Sequence, residues 1–128
     1  MRKYVLPIFL AAIWISLSEF FRNEFLLKQY WTDHYVSMGL VFPAEPHNWA
    51  VWGLWSLMLA VSLFIIQKRF GFWPSVGLTW WMAFAMMWVV TGNLAVLPLT
   101  ILYFALPLSL LEIVIAAWII RKVGGEKV

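Results

Sequence analysis

Four long apolar runs constrain this chain more than any other feature of its sequence. They extend over Tyr4–Phe21, Trp49–Ile66, Phe72–Leu97 and Leu99–Ile120. Each is close to the ~20 residues that an α-helix needs to cross a hydrocarbon core of roughly 30 Å. Because backbone polar groups in that core must bond within their own segment, each run is expected to be a helix. The pattern predicts an all-α, integral membrane four-helix transmembrane bundle.

Composition supports this fold class and excludes others. Of the 128 residues, 64% are hydrophobic and 12% charged. A small water-soluble domain exposes too much of its surface to bury so large a share of apolar residues. The runs leave no room for a soluble domain, so residues 1–128 are predicted to be a single transmembrane domain. The basic residues lie at helix ends and not in one patch, so no nucleic-acid partner is expected. The chain has no cysteine, which excludes disulfides and thiolate chemistry.

Basic residues predict the orientation, because short cytoplasmic loops of membrane proteins are enriched in lysine and arginine. Two of the nine, Arg22 and Lys28, fall on one side of the predicted membrane. The other seven fall on the opposite side, namely Arg2, Lys3, Lys68, Arg69, Arg121, Lys122 and Lys127. We therefore expect both termini to be cytoplasmic, with one long extracytoplasmic loop between helices 1 and 2. The expected location is a bacterial inner (plasma) membrane, crossed several times.

The long loop, residues 28–47, is predicted to contain a short helix on the membrane surface that ends in a turn at Gly39. Tyr30, Trp31 and Tyr35 suit the headgroup level, where aromatic side chains are enriched. Asn48 is a candidate N-cap for the second transmembrane helix, because asparagine side chains accept hydrogen bonds from N–H groups of the first turn.

Two glutamates are predicted to lie inside the membrane. At about 1.5 Å per residue, Glu19 lies roughly 24 Å from Lys3, and Glu112 lies roughly 13 Å from Arg121, near the bilayer centre. Glu19 and Arg22, at positions i and i+3, can form an ion pair on one helix. By the same count Glu112 has no basic residue at its depth. A carboxylate there costs several kcal/mol if charged and is by default a candidate functional site.

Polar and small residues gather on one face of each predicted span. Asn23 shares a face with Glu19, and Ser109 shares one with Glu112, next to Pro107. The ten tryptophans exceed what the two membrane interfaces need, and indole rings beside a carboxylate suit an organic cation. Alternatively, these side chains only pack and hydrogen-bond between helices. The predicted ligand-binding residues are Glu19, Arg22, Asn23, Asn48, Trp52, Trp55, Trp88, Asn93, Ser109 and Glu112.

Motifs for catalysis, cofactors and metals are absent from the sequence. His34 and His47 lie near Asp33 and Glu45, but the spacings D-H and E-P-H match no standard metal motif. No nucleophile elbow, P-loop or dinucleotide fingerprint occurs. We therefore predict no catalytic residues, no metal and no cofactor.

The chain is similar in outline to the small multidrug resistance transporters. The similarity rests on its size, its four predicted helices with a glutamate in the first, and the fragment W-P-S-V-G at Trp73–Gly77. The long loop and the second glutamate, Glu112, depart from that family, whose essential glutamate lies deeper in the first helix. We treat the resemblance as an analogy and not as membership.

Three functional hypotheses follow from these residues. The first is a tryptophan-rich, outward-opening pocket inside the bundle that binds or transports a lipid-like or organic-cation small molecule. The second is an accessory subunit, surrounded by membrane lipids, that docks onto a larger membrane partner or another copy of itself. The third is a membrane-embedded enzyme that uses Glu19 or Glu112 as acid or base. The tryptophans expected away from both membrane interfaces, called the deep tryptophans, are Trp14, Trp52, Trp55, Trp80, Trp81 and Trp88. The first hypothesis requires them to surround a cavity, whereas the second allows them to face lipid.

The predicted orientation can be tested by single-cysteine labelling, because the chain has no native cysteine. With a membrane-impermeant thiol reagent added to intact cells, we expect Asp33→Cys to be labelled and Val128→Cys to be protected until the cells are opened. Labelling of Val128→Cys from outside would contradict the orientation that the basic residues predict.

Overall fold

The computed structural model describes residues 2–125, which form helices and connecting loops without a β-strand. Four helices are long and apolar enough to cross a membrane, as the four apolar runs predict, so the described chain is all-helical with four potential membrane spans. Span 1 consists of helix α1 (Arg2–Phe20) and a π-helical segment (Phe21–Leu26). Helix α2 (Lys28–Ser37) follows in the connection to span 2. Lys127 and Val128, which the orientation argument used, lie outside the described residues.

The remaining three spans follow with short connections between them. Span 2 is helix α3, Pro46–Phe70. Span 3 consists of helix α4 (Phe72–Trp80), a second π-helical segment (Trp81–Ala85) and helix α5 (Met86–Asn93). Span 4 opens with a 3₁₀ turn at Leu99–Ile101 and continues as helix α6, Leu102–Gly124.

Span 1 packs against both span 2 and span 4, and span 3 packs against the same two neighbours from the other side. At one end of the bundle, Lys68 Nζ lies 4.5 Å from the centre of the Tyr4 ring, and Arg121 Cζ lies 4.8 Å from the centre of the Phe72 ring. The start of span 1 therefore meets the end of span 2, and the start of span 3 meets the end of span 4. We call this the basic end and the opposite one the α2 end.

The short helix predicted in the long connection is present, while its place on the membrane surface stays a prediction. Helix α2 ends at Ser37, and Gly39 has a φ of +75°, a backbone conformation that glycine adopts readily. His34 Nε2 lies 2.6 Å from the carbonyl oxygen of Ala95, in the connection between spans 3 and 4. This hydrogen bond ties α2 to the far side of the bundle.

The prediction that Asn48 is the N-cap of span 2 is wrong, because the helix begins earlier. Proline suits the first turn of a helix, where its missing N–H has no partner to lose, and α3 starts at Pro46 with Glu45 as its N-cap. The Asn48 side-chain oxygen accepts the Glu45 backbone N–H at 2.9 Å, while the Glu45 side chain accepts the Asn48 backbone N–H. Asn48 is thus at position N3 of a capping box.

The π-helical segment of span 3 changes which side chains face inward. A π turn holds about one residue more than an α turn, so later side chains rotate relative to a regular helix. Regular α-helical spacing would place Thr79 and Asn93 on one face of span 3. Thr79, before the segment, is buried, whereas Asn93 is exposed at the end of α5. Trp88 is half-buried and packs against the core.

Candidate ligand-binding site

Three buried charged side chains lie between spans 1 and 4. Arg22 Nη2 donates a hydrogen bond to Glu19 Oε1 at 2.6 Å, and Arg22 Nη1 lies 3.6 Å from Glu112 Oε1. Their exposed fractions are 3% for Glu19, 5% for Arg22 and 0% for Glu112, so bulk water reaches none of them freely. We call these three residues the charged cluster. The predicted pairing of Glu19 with Arg22 is confirmed.

The expectation that Glu112 has no basic residue at its depth is wrong. Long side chains on a helix lean toward its N-terminus. Because spans 1 and 4 are antiparallel, Arg22 leans toward the bundle centre while Glu112 leans toward the α2 end. The two side chains therefore meet, although their backbone positions lie at different depths.

Asn23 connects the charged cluster to helix α2. Its Nδ2 donates to Glu19 Oε2 at 3.0 Å, and its Oδ1 accepts a hydrogen bond from Trp31 Nε1 at 3.1 Å. Arg22 and Asn23 are sequence neighbours, which an ordinary α-helix separates by roughly 100°. Both lie in the π-helical segment Phe21–Leu26, which has a wider turn than an α-helix. In this segment both side chains contact Glu19.

Glu112 is held by its backbone and not by its carboxylate. Its main-chain carbonyl accepts a hydrogen bond from Trp14 Nε1 at 2.9 Å. Neither of its carboxylate oxygens accepts a hydrogen bond of standard geometry from residues 2–125, although the side chains of Ser18 and Glu19 lie near enough to interact with it, and Arg22 Nη1 also lacks a hydrogen-bond acceptor there. The Glu112 carboxylate is therefore buried, and its ion-pair partner is Arg22, whose Nη1 lies 3.6 Å from Glu112 Oε1.

The charged cluster contains two carboxyl groups and one guanidinium. In the part of the chain that the structure describes, the ion pairs of Glu19 and Glu112 involve Arg22 alone, while Lys28 pairs with Glu24 at 3.7 Å in a more exposed position. With both carboxyls ionised, the charged cluster would carry a net charge of −1. Inside a membrane such an excess is strongly unfavourable. One proton or one bound cation would make the cluster neutral.

A cavity of about 120 Å³ lies beside the charged cluster at the α2 end, and we call it the α2-end cavity. Glu19, Arg22 and Asn23 supply polar groups at its border. Its aromatic wall consists of Trp31, Trp52, Trp55, Phe84 and Trp88. Consecutive rings of this wall touch, with centroid separations of 5.9 Å for Trp52–Trp55, 5.8 Å for Trp55–Phe84 and 5.5 Å for Phe84–Trp88.

The deep tryptophans divide between the cavity, the helix contacts and the lipid-facing surface. Trp55 and Trp88 are half-buried in the aromatic wall, whereas Trp81 is 59% exposed and points away from the bundle. Trp80 packs on span 4 by donating to Ser109 Oγ at 2.9 Å. Part of the tryptophan excess therefore surrounds a cavity and part serves packing.

Six of the predicted ligand-binding residues border the α2-end cavity: Glu19, Arg22, Asn23, Trp52, Trp55 and Trp88. Glu112 contacts the same charged cluster through Arg22. Ser109 is buried but accepts the Trp80 hydrogen bond, Asn48 belongs to the capping box, and Asn93 is exposed. Sequence reasoning missed Phe84, whose ring centre lies 5.4 Å from Arg22 Cζ, because one buried phenylalanine among many gives no signal.

Two grooves reach the charged cluster from the sides of span 1. One, of about 270 Å³, lies between spans 1 and 2 and is bordered by Glu19, Glu24 and Trp52 among others. The other, of about 280 Å³, lies between spans 1 and 4. Its border consists of Trp14, Leu17, Ser18, Phe21, Leu108, Leu111 and Glu112. We call this second one the lateral groove.

The fold and the site together define a class: a helical protein with four potential membrane-spanning helices and a charged cluster buried between them. Comparisons with models of known protein families, with curated proteins and with solved structures found no match for this chain. The function is therefore argued from the geometry of the site.

The buried ion pair gives a stability prediction. Arg22→Ala leaves buried carboxyls without a cation, and breaking such a pair destabilises a protein by about 3–5 kcal/mol. We expect a marked drop in the unfolding temperature of the purified protein in detergent. Lys28→Ala is the matched control, because a solvent-exposed pair such as Lys28–Glu24 contributes about 0–1 kcal/mol. Equal, small effects of both substitutions would mean that Arg22 is hydrated and the cluster is not a dry site.

Proposed function

We propose that the protein binds a small organic cation in the α2-end cavity and exchanges it for a proton held on Glu112. The observation that carries the proposal is the excess of carboxyl groups in the charged cluster, where, among residues 2–125, Arg22 alone pairs with Glu19 and Glu112. A buried site with one carboxyl too many must hold either a proton or a cation.

The shape and lining of the cavity favour a small, compact cation. Drug-sized ligands occupy pockets of roughly 300–1,000 Å³, whereas this cavity measures about 120 Å³. Indole and phenyl faces attract alkylammonium groups, and the attraction grows when the site is desolvated. The wall formed by Trp55, Phe84 and Trp88 offers such faces, and Glu19 supplies the opposite charge.

Arg22 provides a physical link between cation and proton. In the ligand-free protein Arg22 neutralises Glu19, and a proton neutralises Glu112. A cation that reaches Glu19 from the cavity competes with Arg22 for that carboxylate. The guanidinium, already 3.6 Å from Glu112 Oε1, then pairs with Glu112, which releases its proton. One cation enters and one proton leaves, so the net charge of the cluster stays at zero.

Helix α2 controls access to the cavity in this proposal. Trp31 borders the cavity and is tied to Asn23, while His34 is tied to the Ala95 carbonyl. Breaking these two contacts would open the cavity at the α2 end. If the bundle is oriented as its basic residues predict, that end faces the outside, and cation–proton exchange there is one half of a transport cycle.

The exchange fixes the sign of the pH dependence. Because binding releases a proton, tetramethylammonium should bind the wild-type protein more tightly as pH rises, by at most tenfold per pH unit for one proton. Glu112→Gln holds no exchangeable proton and offers Arg22 no carboxylate, so we expect weak binding that no longer changes with pH. Isothermal titration calorimetry of each protein in lipid nanodiscs at several pH values measures the affinity and its pH dependence.

The matched control is Glu24→Gln, which removes a carboxylate from span 1 that lies outside the charged cluster. It should keep the wild-type pH dependence. Should Glu112→Gln also keep it, Glu112 is a packing residue, and the interpretation of the chain as an accessory subunit becomes the better one.

A further inference from the structure

We propose that the basic end of the bundle binds a phospholipid with a net negative headgroup, whose phosphate pairs with Arg121. This site lies at the opposite end of the bundle from the α2-end cavity, and it requires neither the organic cation nor Glu112. Three observations carry it: the unpaired charges of the basic end, the way in which Arg121 is held, and the aromatic side chains beside it.

The last turns of spans 2 and 4 lie side by side at the basic end. Gln67, near the end of span 2, donates from its Nε2 to the Ala117 carbonyl of span 4 at 2.9 Å. Both last turns carry basic side chains, namely Lys68, Arg69, Arg121 and Lys122. We call these four residues the basic corner.

The charge of the basic corner is not balanced within the described chain. Residues 2–125 place no acidic side chain at the basic end, and none of the four basic side chains forms an ion pair with a carboxylate of those residues. Part of the positive charge complements the last carbonyl groups of the two helices, where cations are favourable. A lipid headgroup with a net negative charge would supply the missing counter-charge.

Arg121 is held in a position from which it can bind a phosphate. Its Cζ lies over the ring of Phe72, the first residue of span 3, at 4.8 Å from the ring centre. Among residues 2–125 no group accepts a hydrogen bond from its guanidinium. A guanidinium that packs on an aromatic ring keeps N–H donors at its edge, and these can bind a phosphate with two parallel hydrogen bonds. The contact with Phe72 therefore restrains the side chain and leaves its donors unused.

Exposed indole rings beside the basic corner favour a lipid over a soluble phosphate. Trp73, the residue after Phe72, is 68% exposed. Trp118 is 52% exposed, and Lys122 Nζ lies 6.0 Å from its ring centre. Tryptophan is enriched at the headgroup level of membranes, where its ring contacts the boundary between headgroups and acyl chains. A lipid can therefore place its phosphate on Arg121 and its glycerol and upper acyl chains against these rings.

A net negative headgroup fits this surface better than a zwitterionic one. The ammonium group of a phosphatidylcholine would be repelled by the other cations of the basic corner. Each lysine or arginine near an anionic lipid surface contributes about fivefold to the affinity. Phosphatidylglycerol, whose headgroup carries a phosphate and no cation, is a simple lipid with the required chemistry.

The test is native mass spectrometry of the full chain in a maltoside detergent that contains equal amounts of dioleoyl phosphatidylglycerol and dioleoyl phosphatidylcholine. We expect the wild-type protein to retain about fivefold more phosphatidylglycerol than phosphatidylcholine. Arg121→Gln should reduce the retained phosphatidylglycerol about fivefold, because the phosphate loses its paired donors. Equal retention of the two lipids by the wild-type protein would overturn the proposal.

Two matched variants separate a site at Arg121 from a general effect of charge. Lys28→Gln removes the same charge from the α2 end, and Arg2→Gln removes it from the basic end outside the basic corner. Both should change the retention of phosphatidylglycerol by less than about twofold. An equal loss in Arg2→Gln and Arg121→Gln would overturn the proposal, because the basic end would then attract anionic lipid without a defined site.

A further variant tests the guanidinium itself. Arg121→Lys keeps the charge but not the two parallel donors, so the retained phosphatidylglycerol should fall about threefold. Arg121 is exposed, so both of its variants are expected to fold, and their unfolding temperatures in lipid-free detergent check this. Wild-type retention in Arg121→Lys would overturn the assigned role of the guanidinium.

A soluble competitor distinguishes a lipid from a free phosphate compound. Glycerol phosphate has the same charged group without acyl chains, and it should not displace the retained phosphatidylglycerol. Displacement would overturn the assignment to a lipid. All of these measurements are made without any organic cation, so their outcomes do not depend on the function proposed for the α2-end cavity.

Discussion

One guanidinium shared by two carboxyl groups is the interaction on which the rest of this bundle depends. Taking charges out of water is expensive, and the attraction between them repays that cost only when the geometry is close and the charges balance. Arg22 meets the first condition with Glu19 at 2.6 Å. The second is not met by the residues that the structure describes, since Glu112 pairs with the same guanidinium. A proton or a bound cation is therefore needed to balance the charge of the site.

The surrounding structure holds this arrangement in place. Spans 1 and 4 come close together because buried alanines, among them Ala11 and Ala116, line their contact and let the backbones approach. Phe84 of span 3 stacks under the Arg22 guanidinium, and Asn23 carries the network on to Trp31 of α2. A change of partner by Arg22 would thus alter side-chain contacts in span 1, span 4 and α2 together.

The sequence alone predicted the features that follow from hydrophobic length and from local spacing. The four potential spans, the short helix before Gly39 and the Glu19–Arg22 pair are all of this kind. Features that depend on helix irregularity or on side-chain reach between helices were not predictable. The π-helical turn of span 3 moved Asn93 off the inner face, and the opposite lean of two antiparallel helices brought Arg22 to Glu112.

Infrared spectroscopy tests most directly our proposal that the excess carboxyl in the ligand-free charged cluster is a protonated Glu112. A protonated carboxyl and a carboxylate have separate stretching bands. At neutral pH we expect the wild-type protein to show a protonated-carboxyl band that Glu112→Gln removes and Glu24→Gln retains. Absence of that band from the wild-type protein, or its persistence in Glu112→Gln, would contradict the account.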